Sequence, residues 1–188
     1  MDDKQRIQRL TQALNGTGAT VNGPYQVWAV DGTVMDSHLF ALAEWADLIH
    51  LVLSGCPITN ESLPAISRFQ RLESLDISGT NITSAGVAQT ELPKSLTALG
   101  LSGIELTEEA IARIVTLPNM RALNCNGCRL SLDGFCRLVA MPTLSGIEAV
   151  ACPIDDKAAE EISRRTPKVL INVDSGVWKN GTVHCPPQ

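Results

Sequence analysis

The chain has 188 residues and a net charge of −5, without the basic stripe that a nucleic-acid surface requires. Hydrophobic residues make up 44% and charged residues 19%, the proportions of a soluble globular fold, and no apolar run reaches the ~18 residues of a membrane span. The length suits one domain with a continuous core, and with aromatics at only 4% that core has to be aliphatic.

Residues 3–14, DKQRIQRLTQAL, place Ile7, Leu10 and Leu14 on one side of a predicted helix. The stretch lacks the apolar h-region of a secretory signal. The expectation is a soluble cytoplasmic protein, with signal-free export as the alternative. ATVN (19–22) predicts a short edge strand.

Five segments then align at a constant spacing of 24 residues: LIHLVLSGCPIT from 48, LESLDISGTNIT from 72, LTALGLSGIELT from 96, MRALNCNGCRLS from 120 and LSGIEAVACPID from 144. A weaker copy, PYQVWAVDGTVM, begins at 24, and a half-copy, KVLINV, at 168. Within each copy a short strand alternates, so that Leu51 and Leu53 point inward while His50 and Val52 point outward. A turn follows, with glycine at 55, 79, 103 and 127 available for unusual backbone angles. Thr59, Thr83, Thr107, Ser131 and Asp155 share one position, and all are favourable helix N-caps. Beyond them Leu63 and Ile66, Ile111 and Ile114, and Phe135 and Leu138 recur at helical spacing as inward residues. Pro93, Pro118, Pro142 and Pro167 close the turns that lead back to the next strand. Finally, VWKNGTVH places Asn180-Gly181 between β-prone pairs, a hairpin signal that would lay Trp178 over the last coil.

These copies of Leu-x-x-Leu-x-Leu-x-x-Cys/Thr-x-Leu resemble the leucine-rich repeat superfamily over residues 24–173. The turns of the ISGTNIT kind (77–83) are most similar to short bacterial-type and ribonuclease-inhibitor-like repeats. The resemblance implies an α/β fold: a right-handed solenoid with a curved parallel β-sheet on its concave side and short helices on its convex side. One coil cannot bury its own apolar face, so coils stack and the ends need covers. The expected organisation is a helical cap over 1–23, about six repeats and a half over 24–173, and a hairpin cap or tail over 174–188, all within a single domain.

In this frame the cysteines of ALNCNGCRL (122–130) lose their metal-like appearance. Cys125 stands where Leu53, Ile77 and Leu101 stand, an inward strand position. Cys128 stands where Cys56, Thr80 and Cys152 stand, at the turn, where the family commonly bonds backbone groups inside the coil. A zinc site needs four ligands, and no second pair offers them. A redox pair prefers a helix N-terminus, which a strand-to-turn segment does not supply. Cys128 and Cys152, one coil apart, would bring their α-carbons within ~5 Å, inside disulfide range, although reduced thiols are the expectation in the cytoplasm.

No nucleophile elbow, phosphate loop or dinucleotide fingerprint occurs, so the reading is a non-enzymatic protein without cofactor or metal. IDDKAAEEISRR reads as a helix with Asp155 and Asp156 at its start and Arg164 and Arg165 at its end, in keeping with the helix dipole. Function in solenoids usually resides on the outward strand residues. The candidate partner-binding set is Trp28, His50, Val52, Asp76, Ser78, Asn124, Asn126 and Glu148. For Trp28 the alternative is packing under the N-terminal cap. Ala98, Gly100, Ser102, Ala122 and Gly146 leave the middle of the face nearly bare. The expected function is recognition of a partner protein through the concave sheet, as adaptor, inhibitor or effector. The alternative is a self-associating structural protein, a weak homo-oligomer.

Overall fold

The computed structural model describes residues 2–45 and 47–184. One ten-stranded sheet runs in sequence order, open at both ends. It comprises β1 (Thr20–Val21), β2 (Gln26–Trp28), β3 (His50–Val52), β4 (Ser74–Asp76), β5 (Ala98–Gly100), β6 (Ala122–Asn124), β7 (Gly146–Glu148), β8 (Leu170–Val173), β9 (Gly176–Lys179) and β10 (Thr182–His184). Strands β2 to β8 are parallel in a constant register of 24 residues: Val27, Leu51, Leu75, Leu99, Leu123, Ile147 and Ile171 stand side by side. β1 at one end and β9–β10 at the other pair antiparallel.

Helices fill the opposite side: α1 (Asp3–Ala13), α2 (Asp36–Leu42), α3 (Leu63–Ile66), α4 (Ser84–Gln89), α5 (Glu108–Ile114), α6 (Leu132–Val139) and α7 (Asp156–Arg165). Four of them start at the cap residues expected from the repeat. The side chains of Thr83, Thr107, Ser131 and Asp155 each accept from the N–H three residues on. Thr59 accepts from Glu61 and caps a turn of 3-10 helix that leads into α3. The first coil has Met35 at that position, with no side-chain cap; there the His38 ring accepts the Met35 N–H at 3.0 Å. Between sheet and helices lies one continuous aliphatic core, and Leu51, Leu53, Ile66, Ile111, Ile114, Phe135 and Leu138 are all fully buried in it. At ~1.5–3 kcal/mol for each large apolar side chain buried, this core is the main source of stability.

The ends are sealed differently. At the N-terminus, Leu10 of α1 and Leu14, which caps its end, enter the core while Ile7 stays partly exposed. Arg6 pairs with Asp47, and the Arg6 and Arg71 guanidiniums lie 5.0 and 5.7 Å from the Tyr25 ring centroid, close enough for cation–π attraction. At the C-terminus, Asn180 and Gly181 both take positive φ, 50° and 77°, as a two-residue hairpin turn demands. Trp178 is buried in the core beside Ile171, and the Gly181 N–H donates to the buried Ser163 hydroxyl at 2.9 Å.

The turn after each strand needs a left-handed residue. Gly55, Gly79, Gly103 and Gly127 supply it with φ of 64–81°, but the last full coil puts Ala151 there at φ 57°. A side chain in this region costs ~1–2 kcal/mol. Ala151→Gly is therefore expected to stabilise the fold by about 0.5–1 kcal/mol after allowing for the freer unfolded chain, read as a higher urea midpoint at constant slope. An unchanged or lower midpoint would contradict this account.

Candidate functional site

Two hydrogen-bonded ladders run along the solenoid and decide which side chains remain free. The first lies inside the turns. The Cys56 thiol donates to the Ala29 carbonyl at 3.5 Å, Cys128 to Leu101 at 3.2 Å and Cys152 to Cys125 at 2.9 Å, each reaching back to the preceding coil. Thr80 differs, its hydroxyl turning to Ile77 of its own coil at 2.7 Å, and Ile104 occupies the position without a donor. Cys125 itself is a fully buried strand residue. Cys56, Cys125, Cys128, Cys136 and Cys152 are free thiols, so no Cys128–Cys152 bond is present. Among the described residues no group of three His, Cys, Asp or Glu side chains is arranged to hold a metal.

Burial pushes the Cys56 and Cys152 thiols above their ordinary value. The hydrogen bond that the Cys125 thiol donates to Cys128, together with burial, does the same more strongly to Cys125. Folding therefore favours the neutral thiols of Cys56, Cys125 and Cys152, while the bond from Cys125 lowers Cys128. That contribution is complete below the unfolded thiol pKa of ~8.5 and is lost as the pH rises through the folded values. Under reducing conditions the Tm is expected to fall as the pH rises from about 8 to about 9.5. The Cys56→Thr/Cys152→Thr variant should fall measurably less, and an equal fall in both would contradict this account.

The second ladder lies at the outer rim of the sheet and uses several of the outward polar residues. The Ser54 hydroxyl donates to Asp76 Oδ2 at 2.7 Å, while Asp76 Oδ1 accepts the Ser78 N–H at 2.9 Å. Ser78 Oγ accepts the Ser102 N–H at 3.0 Å. Two coils on, the arrangement repeats with an amide: Ser102 donates to Asn124 Oδ1 at 2.7 Å, and the same oxygen accepts the Asn126 N–H at 3.1 Å. Asn126 then donates to Glu148 Oε2 at 3.2 Å and accepts the Val150 N–H at 2.8 Å. Between the two acceptor coils stands Gly100, and a Cβ there would meet Asp76 Oδ1 at 2.4 Å. The Asp76 carboxylate thus leans over a coil that has no side chain at that point.

What stays open is a trough of about 440 Å³ across β4 to β8. Its floor is Ala98, Gly100, Ala122 and Gly146. Asp76 and Glu148 stand along it, and Leu170, Asn172 and Val177 form its far wall. Asp76, Asn124 and Glu148 of the sequence-derived set come together here, while Ser78 and Asn126 serve the rim ladder. Trp28, Val52 and His50 lie outside the trough toward the N-terminal end, Trp28 being registered between Thr20 and Val52. Trp28 is 49% exposed, so it is not covered by the N-terminal helix. Leu170 and Val177 were missing from the sequence-derived set. Val177 belongs to the hairpin, and only its pairing opposite Asn172 carries it onto the working face.

No helix among the described residues is long and apolar enough to cross a membrane. No curated protein matches the chain. The sequence model of a family described as Leucine Rich Repeat matches residues 47–69, the stretch holding β3, its turn and α3. The same coil recurs at 24-residue register along the parallel sheet, and the chain accordingly folds as a leucine-rich repeat solenoid.

Proposed function

We propose that this chain is a binding module that recognises a partner protein through the outward face of its sheet, without catalysing a reaction. Leucine-rich repeat domains generally mediate protein–protein interaction, and the observation that carries the reading here is the trough. Its floor positions Ala98, Ala122 and Gly146 make none of the ladder bonds described above, and they leave the backbone open to close approach. The half-exposed Trp28 beside Val52 extends the face at one end with the kind of aromatic anchor enriched at binding hot spots. Leu170, 44% exposed, extends it at the other.

The test is site-specific photocrosslinking in source cells. A benzophenone amino acid is placed at Ala98 or Ala122 on the trough floor, or at Ala112 on the exposed side of α5. The expected result is a discrete protein adduct from positions 98 and 122 that is absent from 112 and is lost when Trp28→Ala is added. Adducts from position 112 alone, or none from the trough, would overturn the reading. Adducts whose mass is twice that of the chain would instead establish self-association.

A further inference from the structure

We infer that the trough takes an extended, cationic segment of the partner protein, with two Lys or Arg side chains held near Asp76 and Glu148. This inference rests on the binding-face reading above and names the chemistry of its occupant. The argument starts from a charge that the fold does not require. Asp76 accepts from Ser54 and from the Ser78 N–H, and Asn124 does the same work for Ser102 and the Asn126 N–H. An uncharged amide therefore serves the rim ladder by taking both donors on its single oxygen, as Asn124 does, and the negative charge at 76 is surplus to it. Glu148 is in the same position: one donor, the Asn126 amide, reaches one of its oxygens, and a glutamine would accept that bond.

The outward strand positions from β3 to β8 carry Asp76 and Glu148 and no Lys or Arg. The hairpin adds one cation, Lys179 at the end of β9. The two acids are exposed or half-exposed and stand over a floor of small residues, so a cationic side chain can reach either one without displacing a large neighbour.

Spacing sets the form of the segment. Asp76 and Glu148 lie three strands apart, ~14 Å at the usual interstrand distance. An extended chain advances 3.3–3.6 Å per residue, which brings residues i and i+4 to that separation. The trough's volume of about 440 Å³ is spread over the ~19 Å from β4 to β8. One row of side chains from an extended chain fits.

The experiment titrates the full-length protein with fluorescein-labelled Gly-Arg-Ala-Ala-Ala-Arg-Gly and with the counterpart carrying Glu for both Arg, read by fluorescence anisotropy at low salt. The variants are Asp76→Asn/Glu148→Gln, which keeps the ladder bonds, and Ala98→Arg, which fills the floor; thermal melts confirm that both fold. The Arg peptide is expected to bind the wild type at least tenfold more tightly than it binds either variant. The Glu peptide should not bind, and binding should weaken steeply with added salt. Equal affinity for wild type and Asp76→Asn/Glu148→Gln, equal binding of the two peptides, or no binding of the Arg peptide would each overturn the inference. Failure here with trough adducts still forming at Ala98 and Ala122 would remove the cationic segment and leave the binding face standing.

Discussion

Phe135→Ala is expected to destabilise the protein by about 3–5 kcal/mol, a large share of the roughly 5–15 kcal/mol that holds a typical fold together. Phe135 is fully buried in α6, and in so close-packed an interior a truncation of this size leaves a void that neighbours fill only in part. Its effect should be local before it is global, since coils of a solenoid contact only their neighbours. The urea transition should therefore broaden or split, with the coils before α5 surviving beyond those after it. Leu132 is the control. It begins the same helix but is 50% exposed, so Leu132→Ala should change stability by no more than about 0.5 kcal/mol. A loss under about 1.5 kcal/mol for Phe135→Ala, or equal losses for the two, would show that α6 does not hold the stack together.

Gly86→Val should be comparably damaging, at about 2–4 kcal/mol, for the opposite reason. A Cβ at Gly86 would meet Asn60 Oδ1 at 2.2 Å and Leu63 Cδ1 at 2.9 Å. Asn60 cannot yield freely, because its amide donates to Thr83 Oγ1 and its oxygen accepts the Thr83 N–H, both at 2.9 Å. Overpacking typically costs ~1–3 kcal/mol, and each hydrogen bond broken adds ~0.5–1.5 kcal/mol. The clash is specific, so in an Asn60→Ala background the further cost of Gly86→Val should fall by at least half, measured by denaturant unfolding. An undiminished cost would point to lost helix geometry instead of the Asn60 contact.

That glycine shows how far the repeat could be read from sequence. Strand positions, inward leucines and N-caps were legible because each depends on a residue's own coil and recurs every 24 positions. The requirement for a small third helical residue (Ser62, Gly86, Ala110, Gly134, Ala158) recurs just as regularly. It was not legible, because its cause is the helix start of the preceding coil, with Asn60 the obstacle at Gly86 and Ile111 Cδ1 at Gly134. The candidate face was legible in part for the same reason. Its outward residues follow from strand alternation, and the bare middle follows from the residue types. The double use of Asp76 and Asn124 repeats every second coil, across 48 positions, and appears only when Ser54 and Ser102 are placed one strand away. Val177 was hidden because nothing in VWKNGTVH says that the hairpin continues the same sheet.

The rim and turn ladders have a further consequence, for the nascent chain. Their side-chain bonds between coils join residues 22 to 27 positions apart, and the strand register repeats the same interval. A coil leaving the ribosome thus meets its first partners in the segment synthesised just before it, and no strand waits for a distant one. Contacts of such short sequence separation close quickly, and amino-terminal parts of a chain can order first during synthesis. Assembly can advance one coil at a time behind α1, with an open sheet edge as its growing front, until the Trp178 hairpin covers that edge and ends the polymer-like growth.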